Sequence, residues 1–314
     1  MLKFTQPAAR LSLHRLYSSA PAKSRVQLVA ELRKVSSAPI IKARQALDEC
    51  NGDFDAARRW LEDDMRKSGV AKAEKIKDRA TSEGLISISI LEGGLGSQTG
   101  SGSGLVKAGI VELNCESDFV SRTDEFTRLA SEIAQIAAQS STQQQQESPF
   151  VPLSVENLLQ TSHASGSTVS SLITDVIARL GENISLRRAT LLSQPSISSS
   201  VFRAASYLHQ GRVGALDLIS LRSAPPSLFR DDAFIGDLAK LERALARQTA
   251  GFMTLAIDKP RNAEDELETV LYEQPFMMLG EEITVRTVLD QWQKKWGIEQ
   301  VAVSDFVRWE VGRD

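Results

Sequence analysis

At 314 residues, with 42% apolar and 25% charged side chains, the chain is long enough for two domains with real hydrophobic cores and has the composition of an ordinary globular protein. It has no apolar run near bilayer length, and a net charge of −3 gives no overall pull toward a phosphate backbone, so neither a membrane span nor a nucleic-acid partner is expected. Two cysteines without a CxxC pair and three scattered histidines (His14, His163, His209) support neither a disulfide framework nor a zinc site, and no metal or cofactor is expected.

The chain opens on a basic, Ser-rich stretch with no acidic residue before Glu31; Lys3, Arg10, Arg15, Lys23 and Arg25 punctuate it. That is the description of a mitochondrial transit peptide, here residues 1–17, and Arg15-Leu16-Tyr17-Ser18-Ser19 resembles a processing site of fungal matrix proteins. The alternative is a disordered basic tail.

Residues 26–66 read as three short helices. Val26, Leu28, Val29 and Leu32 stripe the first, Pro39 sits where a second can begin, and Ile40, Ile41, Ala43 and Leu47 continue it. Asn51-Gly52 ends that helix, and Asp53 caps a third carrying Phe54, Ala57, Trp60 and Leu61. The charged run KAEKIKDRA, residues 72–80, is a solvated helical connector. Strands are expected over 85–91 and 105–114, joined by GGLGSQTGSGSG, a flexible loop that cannot pack a core. Phe126, Leu129, Ile133, Ile136 and Ala137 make the next helix amphipathic, and the Gln-rich run 140–149 is a second insert. Beyond it come a helix near 168–180, strands over 184–192, 201–209 and 213–221, helices over 231–248, 263–273 and 283–296, and a closing strand over 301–312. Strands in clusters separated by helices indicate an α+β fold with two similar halves.

NCESDFVSRTDEF, residues 114–126, is the unusual connection. Turns favour Gly, Pro, Asn and Ser, whereas this one puts Asp118-Phe119-Val120 between two elements. Either Phe119 folds back into the core or it faces something outside the chain.

Taken together, LVAELR (28–33), QALDECNGDFDAA (45–57), RKSGVAKA (66–73), VELNCESDFVSRTDEF (111–126), GENISLRR (181–188), YLHQGRVGAL (207–216), EQPFMM (273–278) and FVRWEVG (306–312) resemble the elongation factor Ts family in order and spacing, in its mitochondrial form. The resemblance covers about Val26 to Gly312. It implies an N-terminal three-helix ubiquitin-associated-like module (26–68), a connector (69–83), and a two-subdomain core of antiparallel sheets packed with helices, divided into 84–150 and 151–314.

The resemblance also implies a guanine nucleotide exchange factor in the mitochondrial matrix that acts by binding mitochondrial elongation factor Tu and is not an enzyme. In the family the Asp-Phe-Val turn enters the partner near its Mg²⁺ site, so Phe119 carries over as a wedge flanked by Asp118 and Val120. His209 carries over to the partner's phosphate-loop side, with Gly211 and Arg212 as local support and Gln210 as an addition to the common His-Gly pattern. Arg33, Ile40 and Ile41 match contact positions of the N-terminal module, although the family's Thr-Gly-Ala-Gly-Met-Met stretch here reads SSAPII. For Ile40 and Ile41 the alternative is simple core packing. The family's long coiled-coil excursion is missing, and the two inserts carry no assigned role.

Two other readings compete. A ubiquitin-binding adaptor fits the three-helix pattern with Gly52-Asp53-Phe54, and a hydrolase would need Cys115, Glu116 and His209 to meet. No nucleophile-elbow motif supports the second.

Overall fold

The computed structural model describes residues 23–36, 38–141, 148–163, 166–194, 200–259, 267–277 and 283–313. The expected leader (1–17) and most of the Gln-rich insert lie outside the described residues. The chain divides into two compact units between Met65 and Arg66.

The first unit contains helix α1 (Arg25–Ser36), α2 (Ile40–Glu49) and the first turns of α3 (Phe54–Ile76). Its core is small: Leu32, Ala43, Ala46, Leu47, Ala57 and Leu61 are all at most 1% exposed. The α2 exit follows from Asn51, which takes the left-handed conformation (φ 52°) and tolerates it better than most residues. There the Gly52 amide donates to the Leu47 carbonyl at 2.8 Å and the Asn51 amide to that of Asp48, closing two of the orphan carbonyls of the last turn. Asp53 then caps α3, accepting the Ala56 amide at 2.9 Å. Val26 departs from its expected stripe and is 77% exposed. The connector expected from residue 69 is not separate, because α3 continues through it and buries Ile76 in the core of the second unit.

In the second unit β1 (Glu83–Gly93), β2 (Val106–Cys115), β3 (Phe150–Leu153) and β4 (Ile184–Gln194) form an antiparallel sheet in the order β1-β2-β4-β3. Helices α4 (Asp118–Ser121), α5 (Asp124–Gln139), α6 (Val155–Gln160) and α7 (Val169–Leu180) connect these strands. A second antiparallel sheet follows in the order β5-β6-β7: β5 (Ser200–His209), β6 (Val213–Arg222) and β7 (Gln300–Glu310). Between β6 and β7 run α8 (Asp232–Gly251) and α9 (Val285–Trp296).

Strand alternation builds the layers. On β2, Val111 and Leu113 pack with Phe126, Leu129 and Ile133 of α5, while Ala108 and Ile110 on the other face meet Phe202 and Ala204 of β5 and Leu216 and Leu218 of β6. The two sheets therefore share an apolar layer. A polar tie fixes the C-terminal strand beside it: buried Glu112 accepts Arg188 Nε at 2.7 Å and the Gly312 amide at 2.8 Å, while Arg188 stacks on Trp309 at 4.4 Å.

Three expectations change. The core does not divide at residue 150, because β3 and β4 pair into the first sheet and the sheet boundary falls after Gln194. The Gly-rich stretch 93–104 is not a detached loop. Leu95 packs on the second core, its carbonyl accepts Arg203 Nη1 at 2.8 Å, and Gly94 bridges to Arg203 so closely that a Cβ there would lie 2.0 Å from the Phe202 carbonyl oxygen. Finally, the described part of the helix expected over 263–273 consists of two short 3-10 turns, Leu267–Thr269 and Leu271–Glu273. Gln274 ends them, buried, donating to Thr254 Oγ1 at 3.0 Å and to the Glu268 carbonyl at 2.9 Å.

Candidate functional site

The connection after β2 is a single helical turn, not an open loop. Ser117 caps α4, accepting the Val120 amide, and Thr123 caps α5, accepting the Phe126 amide at 3.2 Å. Successive side chains on this turn have opposite fates. Val120 is 8% exposed and belongs to the first core, whereas Phe119 is 82% exposed. Phe119 therefore does not fold back into its own chain. Burial of a phenylalanine is worth roughly 1.5–3 kcal/mol, a stabilisation this ring does not contribute within its own chain. Asp118 forms a 3.2 Å ion pair with Arg122 across the turn, and both side chains stay largely in solvent. Val120 is an anchor of the turn more than a flank of the ring.

The β5–β6 hairpin carries the other predicted group in this unit. Gln210 and Gly211 have φ of 52° and 70°, the sign required at both central positions of the turns that match a twisted hairpin. Gln210 is thus accommodated in the left-handed region, and the Arg212 amide closes the turn onto the His209 carbonyl at 2.9 Å. The tip is braced on β1: the Ile86 amide donates to the Gly211 carbonyl at 2.7 Å, and Arg212 pairs with Glu83. Arg212 is accordingly a brace as well as a surface group. His209 is exposed at the end of β5.

These two turns meet around one cleft of about 690 Å³, lined by Glu83, Gly84 and Leu85 from β1, Asp118, Ser121 and Arg122 from the first turn, and Gln210 and Arg212 from the hairpin. Sequence separation gave no hint that Asp118 and Arg212 share a site. Glu83, Arg122 and Gln210 were not anticipated as its lining.

In the first unit, Arg33 is exposed at the end of α1, and Ile40 and Ile41 at the start of α2 are 45% and 80% exposed. The core-packing alternative fails for both isoleucines, because Leu32, Ala43 and Leu47 fill that core without them. Ion pairs hold the rest of this surface: Lys42 reaches Asp64 at 2.9 Å and lies 5.7 Å over the Trp60 ring.

Cys115 is not set up as a nucleophile. Cys115 is buried at the end of β2, and its thiol is pushed up to about 12, chiefly by burial and then by the charges of Glu182 and Glu83. A thiol so shifted stays protonated near neutrality, opposite to what a catalytic cysteine needs. Glu116 is committed elsewhere, accepting the Asn183 amide at 2.7 Å. The cleft itself is lined by mixed charges, Glu83, Asp118, Arg122 and Arg212, while Phe119 and His209 are exposed on the two turns that border it. That is a surface for contact.

The elongation factor Ts family model matches residues 116–260, which include both turns. The chain is 40% identical to the mitochondrial elongation factor Ts of Coprinopsis cinerea, with 99% of this chain and 98% of that protein covered. With its counterpart in Laccaria bicolor the identity is 42% over 95% of this chain and 94% of the relative. The maize (Zea mays) protein of the same name is 30% identical over 98% of this chain and 84% of its own.

Proposed function

Because this chain belongs to the elongation factor Ts family, we propose that it is the guanine nucleotide exchange factor of mitochondrial elongation factor Tu, working in the mitochondrial matrix by binding and not by bond-breaking chemistry. A translational GTPase holds GDP through its phosphate loop and a Mg²⁺ ion. A partner that binds the empty form better than the GDP form must weaken GDP binding by the same coupling free energy. Phe119 enters the GTPase beside the Mg²⁺ site and disturbs the elements that hold the ion. Asp118 and Arg122 border it, and Val120 fixes it from below. His209 engages the phosphate-loop side, with Gly211 and Arg212 setting the hairpin that carries it.

The observation that carries this reading is the 82% exposure of Phe119 on a capped turn. The cleft shared by Asp118 and Arg212 supports it, since it brings the turns that carry Phe119 and His209 to one region of the second unit. The first unit is a ubiquitin-associated-like module that docks on the same GTPase through Arg33, Ile40 and Ile41, a role their exposure supports. The ubiquitin-adaptor alternative accounts for the first unit alone, whereas similarity to the Coprinopsis relative runs through 99% of the chain.

Stopped-flow release of a fluorescent GDP analogue from mitochondrial elongation factor Tu tests the proposal. The native protein accelerates release. Phe119→Ala lowers the maximal rate about tenfold, equivalent to about 1.4 kcal/mol, with unchanged folding stability. A Phe119→Ala protein as fast as the native one removes the wedge.

A further inference from the structure

Two segments singled out by the sequence, NCESDF and GENISLRR, lie 65 positions apart, yet the structure interlocks them. Gly181 closes α7 in the left-handed conformation (φ 78°), which turns the next two residues back toward the end of β2. Glu182 then accepts both the Ser117 amide, at 3.0 Å, and the Ser117 hydroxyl, at 2.5 Å. In return, Glu116 accepts the Asn183 amide at 2.7 Å. Asn183 extends the lock, its amide group donating to the carbonyls of Lys77 and Arg79 at 3.0 and 2.8 Å, while Arg79 pairs with Glu116 at 3.4 Å. Each of the two connections thus lends a carboxylate to the backbone of the other.

Ser117 is also the cap of α4, whose second residue is Phe119. The orientation of that turn is therefore set by Glu182 through Ser117, not by the two strand ends alone. Bonds to an ionised carboxylate are shorter and about twice as strong as neutral ones, and a bidentate grip fixes direction as well as distance. We propose that Glu182 is a positioning residue for nucleotide exchange: the reciprocal carboxylate lock with Glu116 holds the Ser117 cap so that the Phe119 ring is presented in one orientation. Without it the ring samples several, and only a fraction of encounters are productive. This inference rests on the wedge reading of Phe119 and adds the group that aims it.

The test is fluorescent GDP release from mitochondrial elongation factor Tu at varied concentrations of the full chain. Glu182→Ala lowers the maximal rate about fivefold while the half-saturating concentration moves less than about twofold, because the contact surface is kept and its aim is lost. Glu182→Gln, whose single amide oxygen can keep one of the two bonds from Ser117, recovers part of the rate. In a Phe119→Ala background, Glu182→Ala has no further effect, since what it positions is already gone. Should Glu182→Ala not fold, Ser117→Ala removes the hydroxyl's bond to Glu182 together with the α4 cap and is expected to slow release at least about twofold. Native-like rates for Glu182→Ala or Ser117→Ala, or a Glu182→Ala loss that persists in full without Phe119, overturn the positioning role. A native-like rate for Phe119→Ala alone overturns instead the wedge on which it rests.

Discussion

The two halves of the second unit are built alike, an antiparallel sheet with helices on one face, but they place their polar groups in opposite ways. The first half keeps an apolar layer between sheet and helices around Phe126, Ile133 and Val176, buries one carboxylate, Glu112, on the other face of its sheet, and has Glu116 and Glu182 bonded to the ends of the Phe119 turn and of α7. The second half buries polar groups under α8. Arg203 and Glu242 form a bidentate pair at 2.5 and 3.0 Å, Gln248 donates to Gln274 at 3.1 Å, and Asp217 sits fully enclosed beside Thr249 at 3.0 Å. The lesson is a division of labour. Polar side chains at the rim tie one connection to another and, on the proposal above, aim Phe119, whereas polar side chains in the interior fix how one layer seats on another at a cost in desolvation.

That contrast can be broken most directly at the buried pair. Arg203→Met leaves Glu242 buried without its partner, its carboxyl already raised by burial against the opposing pull of Arg203, and should cost about 3–5 kcal/mol in urea unfolding. Gly94→Ala, at the strap between the halves, forces a Cβ to within 2.0 Å of the Phe202 carbonyl at a φ of 96°; unfolding experiments should show a loss of about 2–3 kcal/mol.

Asp217 sharpens the comparison through pH. Burial raises its carboxyl from 3.8 to about 7, so between those values the folded state holds a proton that the unfolded state has lost. Stability from this group is therefore present at low pH and declines as pH rises through about 7, by on the order of 2 kcal/mol between about pH 5 and pH 8. Urea midpoints of Asp217→Asn against pH should lack that decline, whereas an unchanged slope would show the carboxyl ionising normally. The smallest expected effect is at the second half's own tip. His209→Ala should slow GDP release about twofold to threefold without altering the unfolding midpoint, since the exposed ring contributes to contact and the hairpin is held by its backbone.

Much of the architecture was legible because it is written in local periodicity. Phe126, Leu129 and Ile133 announce α5, and the alternation around Ile86 and Ile88 announces β1. Phe150–Leu153 escaped notice because four residues containing Pro152 show no alternation, and Pro is tolerated there only because β3 is an edge strand. The halves were divided in the wrong place for a related reason. Which strand β4 joins is decided by its pairing with β2, a contact about eighty residues distant that no local pattern encodes. The Gly-rich stretch misled by composition, since the carbonyl of Leu95 has a buried guanidinium waiting for it. At the site, the anomaly of Phe119 in a turn was readable and its exposure followed, but the carboxylates that orient it were not, because each acts on a backbone amide in another segment.

Neighbouring residues Phe119 and Val120 point in opposite directions from one short turn, the first into solvent and the second into the core around Phe126. Any force the ring exerts on a neighbouring molecule is met by an equal reaction on its mounting, and Val120 delivers that reaction into close-packed, poorly compressible material. Prying requires a lever stiffer than the thing it pries. On the proposed wedge action, a softened interior beneath Val120 would yield before the partner did, which makes the stiffness of the core around Phe126 a requirement of that proposal.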